Sequence, residues 1–189
     1  MTDDRESRYT LAANWCEHPE WWHSPDSEAT ETEVTEFLGA LVRMIQPEFV
    51  LETGTYHGHT TLEISRALFM NGHGRGISLE SSQENYETAV RRLDNWMGSN
   101  NTMQVLLLNS MEYMPVEKID FAFFDSWQEG RHLEFNRFYE AGWLKSAAIV
   151  AFHDTAPHHQ VRQYVSQLSD KINTIDFHTP RGLILGQVK

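Results

Sequence analysis

Apolar residues recur along this chain with two alternating spacings. Val34, Phe37, Leu38, Leu41, Val42 and Ile45 form one stripe at the helical period, and Pro47 ends that run. Thr30, with Glu33 three positions on, resembles a capping box, so the helix is expected to open at Thr30. Phe49 to Thr53 is apolar up to a carboxylate and reads as a buried strand. A helix over Thr60–Met70 follows, with Leu62, Ile64, Ala67 and Leu68 toward a sheet and Asn71-Gly72-His73-Gly74 as its stop. The alternation then repeats. Strands are expected at Gly76–Glu80, Met103–Leu108, Ile119–Asp125 and Ala147–Phe152, and helices at Gln83–Met97, Leu133–Leu144 and Val161–Leu168.

This order predicts an α/β fold: a doubly wound, Rossmann-like, mostly parallel sheet with helices on both faces. The tail departs from the rhythm. Thr174–Phe177 and Gly182–Val188 leave no room for a crossover helix between them, so they are expected to pair antiparallel at the sheet edge. Residues 30–189 therefore read as one domain. Residues 1–29 read as an arm, carrying Trp15, Trp21 and Trp22 among acids and histidines with neither period. Those rings either pack on the domain or a subunit partner, making a homodimer, or cover a ligand; packing is the commoner use of large aromatics.

Composition narrows the function classes. A chain of 189 residues, 40% hydrophobic, supports one full core. Its formal net charge of -12, from 27 acidic against 15 basic residues, disfavours nucleic acid and anionic membranes as partners. The single cysteine, Cys16, excludes an internal disulfide framework and thiolate metal clusters. No apolar run approaches the ~20 residues of a membrane helix. The acidic start Met1-Thr2-Asp3-Asp4 is unlike a signal peptide, so a soluble, cytoplasmic protein is expected.

In an open parallel sheet a ligand lies at the carboxyl ends of the strands. Here those ends are Glu52, Glu80, Asn109-Ser110, Asp125 and His153-Asp154. Strands must also end in polar residues simply to leave the core, which is the bland alternative. The first turn, Glu52-Thr53-Gly54-Thr55-Tyr56-His57-Gly58, has glycines that let backbone approach a ligand, and Glu80 lies 22 residues beyond Gly58, where a ribose-binding carboxylate is expected. The turn lacks the G-x-G-x-x-G spacing, and Glu52 would repel a pyrophosphate. A cationic, phosphate-free cofactor, S-adenosylmethionine, suits it better than a dinucleotide.

Taken together, Glu52-x-Gly54-x-Tyr56-x-Gly58, Glu80, Asp125-Ser126-Trp127 and His153-Asp154-Thr155 resemble a class I S-adenosylmethionine-dependent methyltransferase, in the small O-methyltransferase group similar to the catechol type. The resemblance covers roughly Thr30 to the C-terminus. It implies the strand order 3-2-1-4-5-7-6 with strand seven antiparallel. It also implies a cofactor whose methionine end lies near Glu52 and Gly54, with Tyr56 and Gly58 lining the turn and Glu80 holding the ribose. Ser110 and Met111 would border the adenine, Trp127 would cover its face, and Asp125 would close the cofactor site. In metal-dependent relatives the acid ending strand four and an acid plus an amide after strand five bind magnesium. Asp125 and Asp154 match the acids; Thr155 stands where those relatives carry Asn, and Gln128 where they carry a lysine base.

Without a metal, His153 oriented by Asp154 is the leading candidate base, and Asp125 the other. His158 and His159 invite a transition-metal site, against which adjacent histidines early in a helix should point apart. The expected reaction is direct transfer of the sulfonium methyl to a hydroxyl of a small-molecule acceptor. The competing readings are a binding module that keeps the fold without turnover, suggested by Thr155, Gln128 and the tryptophan-rich arm, and an NAD-dependent oxidoreductase, suggested by Glu80.

Overall fold

The computed structural model describes residues 7–8, as backbone, and 15–189; the acidic start and the rest of residues 1–14 lie outside the described residues. A seven-stranded sheet runs through the domain. In chain order its strands are β1 (Phe49–Thr53), β2 (Arg75–Glu80), β3 (Met103–Leu107), β4 (Ile119–Phe124), β5 (Leu144–His153), β6 (Ile172–Phe177) and β7 (Leu183–Val188). Their spatial order is β3-β2-β1-β4-β5-β7-β6. Pairing is parallel except for β7, which runs antiparallel to both β5 and β6, as the short tail connection and the resemblance require. Strand order reverses between β1 and β4, and that switch point opens a crevice.

Helices α1 (Thr32–Ile45), α2 (His59–Asn71) and α3 (Gln83–Trp96) cover one face; α4 (Arg131–Glu140) and α5 (Gln160–Ser166) cover the other. Alternation along the strands feeds both layers. Val50, Phe121 and Phe123 meet Val34, Leu38, Ile64 and Leu68 on the first face. Phe49, Leu51, Phe124 and Phe152 meet Phe135 and Phe138 on the second, where the rings of Phe124 and Phe152 stack 5.1 Å apart. Each such ring contributes about 2–3 kcal/mol by leaving water. The sheet is thereby a rigid base for its carboxyl-end loops.

Of the boundaries that differ from expectation, three have a local cause. Helix α1 begins two residues late because no capping box forms: the Thr30 hydroxyl donates to Asp125 Oδ2 at 2.8 Å, and Glu33 instead accepts from the His23 backbone N–H at 3.0 Å. Helix α4 stops at Glu140, since Gly142 turns the chain at φ +69°, and Leu144 already belongs to β5. A register shift against β4, with Ala147 at φ +62°, hides the first half of β5 from a simple pattern. In the arm, Ser7–Arg8 pairs antiparallel with His23–Ser24. Trp15 Nε1 donates to the carbonyls of Thr179 and Pro180 (3.2 and 2.9 Å), and Trp22 packs on the α1–α3 layer. Cys16 is a buried free thiol, whereas Trp21 stays exposed, stacked on His18. No helix among the described residues is long and apolar enough to cross a membrane.

Candidate active site

The carboxyl ends of β1 to β5 surround a cavity of about 420 Å³, within the range of small-molecule sites. Its first half is the β1 turn and the end of β2. Gly54 sits at φ +83°, where a Cβ would come within 2.3 Å of the Asp125 carbonyl oxygen; only glycine lets β1 and β4 leave the sheet this close together. The next bend places Tyr56 at φ +49°, and its backbone N–H donates to Glu80 Oε2 at 2.8 Å. Glu80 Oε1 accepts from Ser82 N at 2.8 Å. Both carboxylate oxygens are thus aimed by backbone and retain further acceptor capacity toward the cavity. Asn109, Ser110 and Trp127 form the opposite wall. Ser110 is held by Glu134, a buried acid on α4 that also accepts from Thr53 Oγ1 at 2.8 Å; burial raises its pKa.

Three expected cofactor contacts are placed differently. Glu52 is buried beneath the turn, outside the cavity wall, accepting from the hydroxyls of Thr61 and Ser78 (2.5 and 2.6 Å). Burial, aided by the charges of Asp125 and Glu80 and opposed by those two hydroxyls, pushes its carboxyl up to about 8. Gly58, at φ +78°, faces helix α3: a Cβ there would meet the Ala89 Cβ at 3.0 Å, so this glycine serves helix packing. Met111 lies outside the wall, which Leu108 and Asn109 supply in its place. Of the flanking histidines, His57 stacks on Tyr56 at 3.8 Å and His59 lines the cavity.

The second half is a charge cluster. Asp125 Oδ1 accepts from His153 Nδ1 at 3.0 Å and makes an ion pair with Arg131 Nη2 at 3.0 Å, and its Oδ2 accepts from Thr30. Asp154, in a left-handed backbone at φ +56°, accepts from Arg131 Nη2 at 2.8 Å and from Arg181 Nε and Nη2 at 2.6 and 3.1 Å. His153 Nε2 bonds Glu31 Oε2 at 2.7 Å, and Glu31 Oε1 accepts from Thr179 Oγ1 and Arg181 N (2.9 and 2.8 Å). Burial opposes charge on His153, but the carboxylates of Asp125, Asp154 and Glu31 outweigh it and raise its pKa to about 10. Burial likewise opposes charge on Asp154, yet His153, Arg131 and Arg181 hold that carboxyl well below the usual range.

This geometry corrects the expected base. His153 is fully buried, with both ring nitrogens engaged and the ring held as an imidazolium, so it has no lone pair for a substrate proton. Asp125 and Asp154 do reach the cavity wall, and Asp125 is the more open, its side chain 14% exposed against 2%. The expected divergence of His158 and His159 is also overturned: they precede α5, and their rings approach to 3.9 Å. His159 Nδ1 accepts from Gln128 Nε2 at 2.9 Å, and burial, joined by His158 and the two arginines against the pull of Asp154, lowers the His159 pKa to about 4.

Asp125, His153 and Asp154 present ligand atoms within 4.8 Å of one another, a spacing suited to a metal. The surroundings do not fit magnesium. Every carboxylate oxygen of the two aspartates already accepts a hydrogen bond, two guanidiniums supply the positive charge, and Thr155 offers a neutral, buried hydroxyl without a hydrogen-bond partner and outside the cavity wall. Arg131, Arg181, Glu31, Glu134 and Thr30 are the residues that sequence reasoning missed. One carried a signal: Arg131 is the first residue of α4, where a cation opposes the helix dipole and needs acidic partners to offset it.

A profile of a methyltransferase domain family matches residues 51–155, more than half of the chain. Catechol O-methyltransferase B of Danio rerio is 29% identical over 133 residues, which is 67% of this chain and 47% of that protein; the chain spans about half the length of this relative. Among solved structures, the O-methyltransferase from Bacillus cereus in complex with S-adenosylhomocysteine (SAH) superposes with a TM-score of 0.72 at 18% identity, over 87% of this chain and 84% of that one. An SAH-bound methyltransferase of Podospora anserina gives 0.74 at 13% identity, over 86% and 80%. The sheet order, the switch-point cavity and the profile agree, and the chain belongs to the methyltransferase domain family.

Proposed function

We propose that this chain binds S-adenosylmethionine and transfers its methyl group to a hydroxyl of a small-molecule acceptor. The observation that carries the cofactor is the Glu80 carboxylate, locked by the N–H groups of Tyr56 and Ser82 at the cavity edge beside the Gly54 turn. Such a carboxylate accepts from both ribose hydroxyls. Asn109 and Ser110 then border the adenine, the half-exposed Trp127 ring covers its face, and the sulfonium end points toward Gly54 and Asp125. Acidic residues suit a cationic sulfonium and disfavour a pyrophosphate.

The acceptor enters beside Ala29, Thr30, Gln128 and Arg131, so the end of the arm, Glu28 and Ala29, serves as a wall of the site. An oxygen lone pair attacks the methyl carbon, the carbon–sulfur bond breaks, and its electron pair leaves on a neutral thioether. The hydroxyl proton passes to Asp125, the more open carboxylate of the cluster, and from there to water. Most of the acceleration comes from holding the reacting atoms in line. Titration calorimetry with SAH and with NAD tests the cofactor: saturable SAH binding with little NAD binding is expected, and the reverse would sink the proposal. A panel of hydroxylated acceptors with methyl-labelled cofactor tests the transfer; SAH binding with no labelled product from any of them would leave a binding module.

A further inference from the structure

We infer that the site works without a divalent cation, because Arg131 is built into the place between Asp125 and Asp154 that an ion would take. The functional side of this inference rests on the methyl-transfer reading; its structural side does not.

Arg131 is 3% exposed, and each of its three nitrogens is engaged. Nε donates to the Ser126 carbonyl at 2.9 Å, Nη1 to the His153 carbonyl, and Nη2 to Asp154 at 2.8 Å while pairing as an ion with Asp125 at 3.0 Å. The guanidinium therefore ties the end of β4 to the end of β5 and sits between the two carboxylates. Arg181 takes Asp154 from the other side with two further hydrogen bonds. Two fixed cations face two fixed anions, so an entering ion would find no surplus negative charge and would have to break buried pairs to gain an oxygen ligand. Magnesium, which demands near-octahedral oxygen coordination and gives up its waters reluctantly, is the ion least suited to such a site.

The substitution of a guanidinium for a metal has a chemical consequence. A guanidinium offers hydrogen bonds and charge but no vacant orbital, so it cannot chelate two neighbouring substrate oxygens or polarise one by coordination. The acceptor class that fits is one with a single hydroxyl acidic enough to give its proton to a carboxylate without a metal, a phenol or an enol, rather than a vicinal diol that must be gripped by an ion.

Calorimetric titration of MgCl2 and MnCl2 into the SAH-saturated protein tests this directly. No saturable heat into the low millimolar range is expected; saturable binding below about 1 mM would overturn the inference while leaving the methyl-transfer reading intact, whereas failure to bind SAH would strike that reading first. Arg131→Met removes the charge at similar length, leaves Asp125 and Asp154 one cation short and should create Mn2+ binding between them; a folded variant that takes up no Mn2+ would overturn the role given to Arg131. Should that variant not fold, the wild-type titration still decides, together with transfer assays in excess EDTA. There the rate is expected to stay within twofold, and a loss of tenfold or more restored by Mg2+ would overturn it.

Discussion

At the end of the cavity proposed for the cofactor, Glu80 is held by backbone N–H groups 24 and 2 residues away in sequence. At the end proposed for the acceptor, Glu31 meets His153 across 122 residues and the Arg181 N–H across 150. The first end is set by where the backbone can bend, the second by whether buried charges balance. Damage should therefore look different at each: a change of backbone freedom should cost ligand binding, and a change of charge should cost the fold.

The sharpest way to break that contrast is His153→Gln. Removing the imidazolium strands the carboxylates of Glu31 and Asp125 in the interior, at a cost of about 3–5 kcal/mol. In a chain of this size that lowers the melting temperature by roughly 10 °C. SAH affinity in the folded fraction should change less than about threefold; a melt within 2 °C of the parent would remove the basis for the cluster as a structural unit. Gly54→Ala comes next, at roughly 2–4 kcal/mol from the left-handed backbone and the approach to the Asp125 carbonyl. Unlike His153→Gln, it should also weaken SAH binding at least about tenfold. Gly58→Ala is its control, costing stability against Ala89 but leaving SAH affinity in place.

Glu52→Gln probes the acid beneath the turn through pH. The folded carboxyl titrates at about 8 against an ordinary 4.5, so the folded state holds the extra proton, and stability falls as pH rises from 4.5 to about 8. The variant should melt no higher than the parent near pH 4.5, gain on it by a few degrees, at about 2–4 °C per kcal/mol, up to pH 8, and gain nothing further above. His153, raised from 6.5 to about 10, gives a second decline over that higher window, which Glu52→Gln should leave untouched. Melting curves from pH 4.5 to 10 separate the two. The smallest effect is expected for Trp127→Ala, a three- to tenfold loss of SAH affinity by calorimetry with little change in melting temperature.

The same contrast explains what the sequence made legible. All seven strands and the antiparallel tail follow from local periodicity, while their order was legible only through the resemblance carried by motifs such as Glu80 and Asp125 at the strand ends. Gly54 announced itself because a left-handed turn leaves a glycine in the sequence. Glu52 and His153 were legible as polar strand ends but not in their roles, since whether such a group faces a ligand or lies buried depends on neighbours such as Thr61, Ser78 and Glu31, which periodicity does not bring together. Arg131 and Arg181 were missed for the same reason: their ion pairs with Asp154, 23 and 27 residues away on other elements, leave no spacing to read.

The bond between Glu31 and the β6–β7 turn also has a kinetic meaning. A contact spanning about 150 residues is closed late, after the local helices and the parallel strands around β1 have formed, because its loop entropy is offset only once the intervening sheet is in place. The cofactor end can thus be native while the acceptor wall is still open. Hydrogen exchange should find the amides of Thr179, Arg181 and Gly182 opening well before those of β1 and β4, with the wall coming loose as a unit: Trp15, Glu31 and Arg181 together.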